Sequence, residues 1–241
     1  QLNEAAEKLK LSKQPIIIAG GGILYSEAEK ELSDFAKKHN IPVTPTVMGI
    51  GCMTKDDPYY IGAIGCLGEG SSNSLSKDTD LALAIGTKLG DFTTGSWSNF
   101  QNEDFKLVSI NTARFDVTKH LATPVISDAK IGLLELSKAL GDWRAPNNWY
   151  ERSIDERKKW DSYVEKQSGP TNQELPSYAH AVGAVYRNAD PSDIVVTAAG
   201  GLVGEVVQIW KPKELNTFET EWGFSCMGYE ISGALGIKMA K

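Results

Sequence analysis

Short apolar runs without polar alternation constrain the fold of this chain more than any other feature. A strand that is hydrophobic at every position has both faces buried, which is typical of the parallel sheets of α/β proteins. Segments between the runs carry apolar residues at helical spacing. The sequence therefore predicts an α/β fold with a doubly wound, mainly parallel sheet. The predicted strands are 15–19, 41–47, 80–86, 106–111, 124–127, 193–199 and 217–219.

The predicted helices alternate with these strands. Pro42 and Pro45 indicate that the second strand lies at the end or edge of its sheet. A Ser26-x-x-Glu29 capping box is expected to open the helix that follows the first strand. Helices are predicted over 4–12, 71–77, 129–140 and 150–166. Further helices are predicted from the capping box to Asn40, from Pro176 through Tyr186, from Val206 to Trp210, and within 221–240.

Composition excludes several classes of protein. The net charge is −6, so the chain lacks the positive surface that binds nucleic acid or anionic membranes. The apolar runs are too short to cross a bilayer, and the first residues form no apolar signal region. The three cysteines have no Cys-x-x-Cys spacing. We therefore expect a cytoplasmic protein without disulfides, and neither a nucleic acid nor a membrane as partner.

A Trp-containing, charged stretch divides the chain. Residues 142–176 are predicted to be a linker helix followed by an exposed loop. Residues 1–141 would form the first α/β domain, and 177–241 the beginning of a second one. The chain does not begin with Met, and an apolar helix runs to its last residue. We therefore expect an internal fragment of a longer enzyme.

Two glycine clusters follow predicted strands, at Gly20–Gly22 and at Gly200–Gly204. Backbone N–H groups at a helix N-terminus are suited to phosphate. Such a motif is weak by itself, and the first cluster is not Gly-x-Gly-x-x-Gly, so we interpret it as a tight structural turn. The segment 221–240 is also rich in small residues, which indicates close backbone approach to a ligand or a helix.

Residues 221–230 read Glu-Trp-Gly-Phe-Ser-Cys-Met-Gly-Tyr-Glu, which resembles the Gly-x-Met-Gly segment of thiamin-diphosphate (ThDP) enzymes. Residues 84–97, which end in Asp-Phe-Thr-Thr-Gly-Ser-Trp, resemble the middle domain of the same family. This ending and the Phe115-Asp116-x-x-Lys119-His120 motif are most similar to the branch that hydrolyses trihydroxycyclohexane-1,2-dione in inositol catabolism.

The resemblance implies roles for five residues. Gly200, Gly201 and Leu202 match the loop that holds the diphosphate of the cofactor. Ser225 matches the residue whose carbonyl accepts a hydrogen bond from the aminopyrimidine. Met227 matches the bulky residue that supports the bent shape of the cofactor. Because Gly201 and Leu202 stand where the acetolactate synthase pattern has polar side chains, the loop would bind through its backbone.

The resemblance also implies the partners of the whole enzyme. It would open the ring of a small cyclic dione, use ThDP and Mg²⁺, and form a homodimer or homotetramer. No residue favours FAD. The Gly-Asp-Gly metal motif and the activating glutamate of the family are not among these 241 residues. We therefore expect the rest of its own chain to complete the site, and the fragment alone to be inactive.

Other interpretations stay open. The enzyme could instead be acetolactate synthase-like or a 2-oxoacid decarboxylase, and the chain could be a nucleotide-binding or scaffolding α/β fragment. His120 and His180 lack the spacing of a metal site or a triad. His39 is expected to be exposed, and Cys226 to be small and buried rather than nucleophilic. Glu221 and Glu230 could line a pocket, cap a helix or be solvated.

Overall fold

The computed structural model describes residues 1–241, and a five-stranded parallel sheet organises the first part of the chain. Its strands lie in the order β2-β1-β3-β4-β5, and the register places Ile17 of β1 between Val43 of β2 and Leu83 of β3. The strands are β1 (Pro15–Ala19), β2 (Val43–Pro45), β3 (Leu81–Ile85), β4 (Lys106–Asn111) and β5 (Thr123–Ile126). The predicted edge position of the proline-containing strand is confirmed.

Helices cover both faces of this sheet. One core contains the strand residues Ile17, Leu83 and Ile110, and the other contains their neighbours Ile16 and Ala82, which point to the opposite face. The first face packs against α1 (Leu2–Leu11), α3 (Glu29–His39) and α7 (Ala129–Leu140), and the second against α4 (Gly70–Asp78) and α8 (Asn147–Ser168). Three single-turn helices are α2 (Gly22–Tyr25), α5 (Asp91–Thr94) and α6 (Arg114–Val117). The predicted doubly wound α/β class is confirmed.

A separate two-stranded parallel sheet follows in the last third of the chain. It consists of β6 (Val195–Thr197) and β7 (Phe218–Thr220), with α9 (Tyr178–Asn188), α10 (Leu202–Ile209) and α11 (Tyr229–Ala240) around it. Its core includes Val203 and Val207 of α10 together with Val47 and Ala63 from the first part of the chain. The two sheets are therefore separate, but residues from both parts of the chain share one buried core. No helix in the chain is long and apolar enough to span a membrane.

Several local predictions are wrong. Ser26 does not cap α3, because its hydroxyl donates to Asp128 Oδ2 at 2.6 Å, 102 residues away. Pro176 does not start α9, which begins at Tyr178 after a capping box between Ser177 and His180. His39 is fully buried, and its ring nitrogens contact the Trp143 carbonyl at 2.7 Å and the Ser137 hydroxyl at 3.0 Å. For Ser26 and His39 a partner about a hundred residues away decided the position of the side chain, whereas α9 starts at a local capping box that the proline obscured.

A buried carboxylate joins the first part of the chain to the second sheet. Glu69 precedes α4 and is 0% exposed. Its Oε1 accepts hydrogen bonds from Tyr60 Oη at 3.4 Å and from the Ala63 amide at 3.2 Å. Lys211 follows α10 in the chain, and its Nζ lies 3.6 Å from Glu69 Oε2. Burial raises the pKa of the Glu69 carboxyl, and the cations Lys211 and Arg157 oppose that change.

The same lysine also contacts α8. Lys211 Nζ donates to Asp161, whose two carboxylate oxygens each accept from Arg157 Nε at 2.9 Å. The Arg157 guanidinium in turn donates to the Tyr60 carbonyl at 2.7 Å. We refer to Glu69, Lys211, Asp161 and Arg157 as the buried ion network, of which Asp161, with 42% of its side chain exposed, is the outer member. It connects the loop before α4, helix α8 and the end of α10 through charged groups that pair with one another.

Candidate functional site

The loop between β6 and α10 exposes backbone donors. The amides of Gly200, Gly201 and Leu202 donate no hydrogen bond within the protein, and all three residues are exposed. Gly200 has φ +87°, and a Cβ at this position would meet no atom within 4 Å. Free N–H groups at the start of an eight-residue helix attract an anion, since the helix dipole adds to their partial charge. The loop thus fits a diphosphate held by backbone groups.

The segment after β7 forms a turn braced by its own carboxylate. Glu221 accepts hydrogen bonds from the Phe224 amide at 2.8 Å and from the Cys226 amide at 2.7 Å. Ser225 and Gly228 have positive φ values of 53° and 94°. Cys226 is exposed, so its predicted burial is wrong. The turn holds its backbone by internal hydrogen bonds and leaves the side chains of 224–227 at the surface.

Met227 lies at the surface, with 86% of the residue exposed. It therefore does not fill the core of this chain, and its side chain is free to contact a ligand. Three apolar residues of α11 are similarly exposed, at 79% for Ile231, 60% for Leu235 and 80% for Met239. The roles in cofactor binding predicted for the five residues stay predictions, but none of those residues is occupied in packing that would prevent them.

The two predicted cofactor segments contact each other directly. Ser225 Oγ donates to the Ala198 carbonyl at 3.0 Å, across 27 residues of sequence. Glu230 Oε1 accepts from the amides of Ala198 at 3.2 Å and Ala199 at 3.1 Å. The loop that starts α10 and the turn that starts α11 thus lie side by side at the carboxyl ends of β6 and β7, the edge where parallel sheets bind ligands.

Metal ligands are not evident in the chain. No group of three or more His, Cys, Asp or Glu side chains is placed to hold a metal ion. The carboxylates of the neighbouring turn, Glu221 and Glu230, are engaged with backbone amides, which leaves Glu205 in the first turn of α10 without a second acidic ligand beside it. Backbone donors can hold a diphosphate, but Mg²⁺ requires carboxylate or amide oxygens with free lone pairs.

A larger cleft lies at the carboxyl ends of β1, β3 and β4, with a volume of about 780 Å³. Gly21, Thr87 and Asn111 line one side, and the turn residues Trp222 to Ser225 line the other. The Trp222 ring packs edge-on against Phe92, with 5.4 Å between ring centroids. Sequence reasoning missed this cleft, because the apolar runs do not show that β1 lies between β2 and β3, where the direction of winding changes.

The Gly20–Gly22 cluster is a structural turn, as predicted. A Cβ on Gly20 would lie 2.3 Å from the Gly86 carbonyl oxygen, and one on Gly22 would lie 2.5 Å from Gly86 Cα. The Gly22 amide donates to the same carbonyl at 3.0 Å. These glycines allow the loops after β1 and β3 to touch, which closes the floor of the cleft.

The turn and its neighbouring loop should respond to acid. Amide hydrogen bonds, from Cys226 foremost, lower the pKa of Glu221, and its own amide and that of Ala199 lower the pKa of Glu230. Because the pKa values of both carboxyls lie below the ordinary 4.5 in the folded protein, the ionised carboxylates stabilise these segments above that pH. This stabilisation is lost as the pH falls through the folded-state pKa values. We expect the NMR signals of Phe224, Cys226 and Gly228 to change below pH 4.5 while those of β4 persist. Signals that stay constant to the acid unfolding point would contradict this.

The first part of the chain matches a known protein family. The model of the family described as "Thiamine pyrophosphate enzyme, central domain" matches residues 2–136. These residues contain the five-stranded sheet and the lower part of the cleft. Thiamine pyrophosphate is another name for ThDP. The chain belongs to the thiamine pyrophosphate enzyme family.

Two curated proteins that share one name are similar to the whole length of this chain. A Bacillus anthracis protein named 3D-(3,5/4)-trihydroxycyclohexane-1,2-dione hydrolase is 34% identical over 264 aligned residues, which cover 100% of this chain and 41% of the relative. A protein of the same name from Clostridium tetani is 35% identical over 265 residues, again with 100% and 41% coverage. The chain thus spans about two fifths of the length of these relatives.

Proposed function

We propose that this chain is part of a ThDP-dependent hydrolase that cleaves a C–C bond in trihydroxycyclohexane-1,2-dione. The relatives that carry this name align with the whole of the chain. The observation that supports the proposal most is the contact between the two segments assigned to the cofactor. Ser225 and Glu230 reach from the second segment to Ala198 and Ala199, which immediately precede the first.

The chain would then contribute binding and orientation. The free amides of Gly200, Gly201 and Leu202 would hold the diphosphate. The Ser225 carbonyl would accept from the aminopyrimidine, and Met227 would support the face of the cofactor. When bound, ThDP would supply a carbon nucleophile for the carbonyl and a cationic ring that takes up the electron pair of the broken C–C bond. Mg²⁺ would offset the diphosphate charge with ligands from the remainder of the enzyme, which we propose to be a homodimer or homotetramer.

A substrate comparison tests the proposal. The enzyme that contains this chain is supplied with ThDP and Mg²⁺ and offered either the cyclic dione or a 2-oxoacid such as pyruvate. We expect cofactor-dependent release of the open-chain acid from the dione and no product from pyruvate. Acetolactate or carbon dioxide from pyruvate, with the dione unchanged, would support the acetolactate synthase-like or decarboxylase alternative instead.

The cleft beside β1 and β3 supports a second candidate, a nucleotide-binding role. It lies where an open parallel sheet usually binds nucleotides, and Lys88 and Thr87 line it. Adenosine diphosphate binding measured by calorimetry, in an enzyme that is inactive with ThDP, would favour this candidate. The two roles use different residues, so variants of Lys88 and of Met227 distinguish them.

A further inference from the structure

One carboxylate links the two proposed cofactor segments through the backbone. Glu230 lies in the first turn of α11, and its Oε1 accepts from the amides of Ala198 and Ala199 at 3.2 and 3.1 Å. Its Oε2 accepts from the Gly228 amide at 3.0 Å. Ala198 and Ala199 precede the exposed loop at Gly200, and Gly228 follows Met227 directly. A single side chain therefore holds the backbone next to both segments.

The three hydrogen bonds are of the strong kind. A carboxylate that accepts from N–H groups forms charge-assisted bonds, about twice as strong as neutral ones. A negative charge in the first turn of α11 also interacts favourably with the helix dipole. The amide of Glu230 itself, followed by those of Ala199, Gly228 and Ala198, lowers the pKa of Glu230, so the side chain is ionised at neutral pH. The carboxylate therefore satisfies two amides of one loop and one amide of the other at the same time.

We propose that Glu230 is a positioning residue that fixes the separation of the diphosphate loop and the pyrimidine turn before the cofactor binds. The inference rests on the proposed function. ThDP would span both segments, so their separation has to match the length of the cofactor. Segments already held at that separation lose less conformational freedom on binding, which raises affinity. Glu230 does not itself touch the cofactor in this proposal.

Three variants distinguish positioning of the two segments by Glu230 from a contribution of Glu230 to the stability of the whole chain. Glu230→Ala removes all three acceptor contacts. Glu230→Gln keeps one acceptor oxygen and replaces the other with an NH₂ group, which cannot accept from a backbone amide. Glu205→Gln is the matched control, because Glu205 lies in the first turn of the neighbouring α10 and makes no hydrogen bond through its side chain.

The first measurement uses this chain without cofactor. Amide hydrogen exchange is followed by NMR at Ala198, Ala199 and Gly228, with β4 amides as the internal reference. We expect Glu230→Ala to speed exchange at these three amides by about tenfold or more, Glu230→Gln to give a smaller increase, and Glu205→Gln to have none. Unchanged exchange at the three amides, or an equal increase in β4, would overturn the proposal.

The second measurement uses the enzyme that contains this chain, with calorimetric titration of ThDP and Mg²⁺. We expect Glu230→Ala to raise the Kd for ThDP by about tenfold and to leave the KM for the substrate unchanged. Faster exchange with an unchanged Kd would overturn the positioning role. If the unmodified enzyme does not bind ThDP, the proposed function fails, whereas the exchange measurement still decides whether Glu230 holds the two segments together.

Discussion

Replacement of Lys211 by Met is expected to destabilise the protein by about 3–5 kcal/mol, because it leaves the buried carboxylate of Glu69 without its closest cation. Glu69 is 0% exposed, and the side chain of Lys211 is only 10% exposed. The free energy of unfolding can be measured by urea titration of tryptophan fluorescence. The double variant Lys211→Met with Glu69→Gln should recover part of the loss, since both charges of the pair are then removed.

An exposed ion pair provides the control for this prediction. Arg152 of α8 pairs with Asp78 at the end of α4, and their side chains are 38% and 50% exposed. Arg152→Met should cost about 0–1 kcal/mol, since water already solvates both groups. A loss below about 1 kcal/mol for Lys211→Met as well would show that the buried ion network does not hold the second sheet to the first.

The Lys211→Met loss should also depend on pH. Burial already raises the pKa of Glu69 above 4.5, and removal of a cation raises it further. A carboxyl with a raised folded-state pKa keeps its proton longer in the folded protein, so the stability of the variant falls as the pH rises through that window. The loss should therefore be larger at neutral pH than near pH 4.5, whereas the Arg152→Met loss should stay small throughout.

The first sheet could be predicted well from the sequence because each strand is indicated by a few consecutive residues. Fully apolar runs such as Leu81–Ile85 can be stable as strands only when both faces are covered, and the structure covers both. The prolines that interrupt the second strand likewise placed it at the edge. Strand existence depends on a handful of consecutive residues, so it can be inferred without knowing which elements become neighbours.

The positions of polar side chains could not be predicted in this way. His39 was expected at the surface, but its partners are Ser137 and Trp143, about a hundred residues away along the chain. Glu69 and Lys211 are separated by an even longer stretch, and neither has a distinctive local pattern. Glu230 was left open between lining a pocket and capping. It braces two loops, because the parallel pairing of β6 and β7 brings Ala198 beside α11.

The two proposed cofactor segments could be predicted in part: the sequence identified their residues but not their contact. The resemblance to ThDP enzymes identified residues 221–230 and assigned the diphosphate to Gly200–Leu202, where a strand, a glycine turn and a helix alone are a weak motif. Neither motif could show that the two segments touch. That contact needs β7 to pair beside β6, which is a long-range event. The cleft bordered by Trp222 was missed because it depends on another long-range arrangement, the position of β1 between β2 and β3.

Replacement of Met227 by Ala is expected to lower turnover by about 100-fold in the enzyme that contains this chain, because catalysis is sensitive to displacements of about 1 Å in the reacting groups. The side chain is proposed to keep the cofactor bent. The same change should alter the free energy of unfolding of this chain by no more than about 0.5 kcal/mol, since Met227 is 86% exposed and packs against no core.

Met239→Ala is the matched control for this substitution. Met239 is 80% exposed, lies near the end of α11 and has no proposed contact with the cofactor. Turnover per folded molecule and the urea midpoint are measured for both variants. A turnover loss confined to Met227→Ala, with both midpoints unchanged, would place Met227 against the cofactor. A large shift of the Met227→Ala midpoint with normal turnover would instead mean that the side chain supports folding of the complete enzyme.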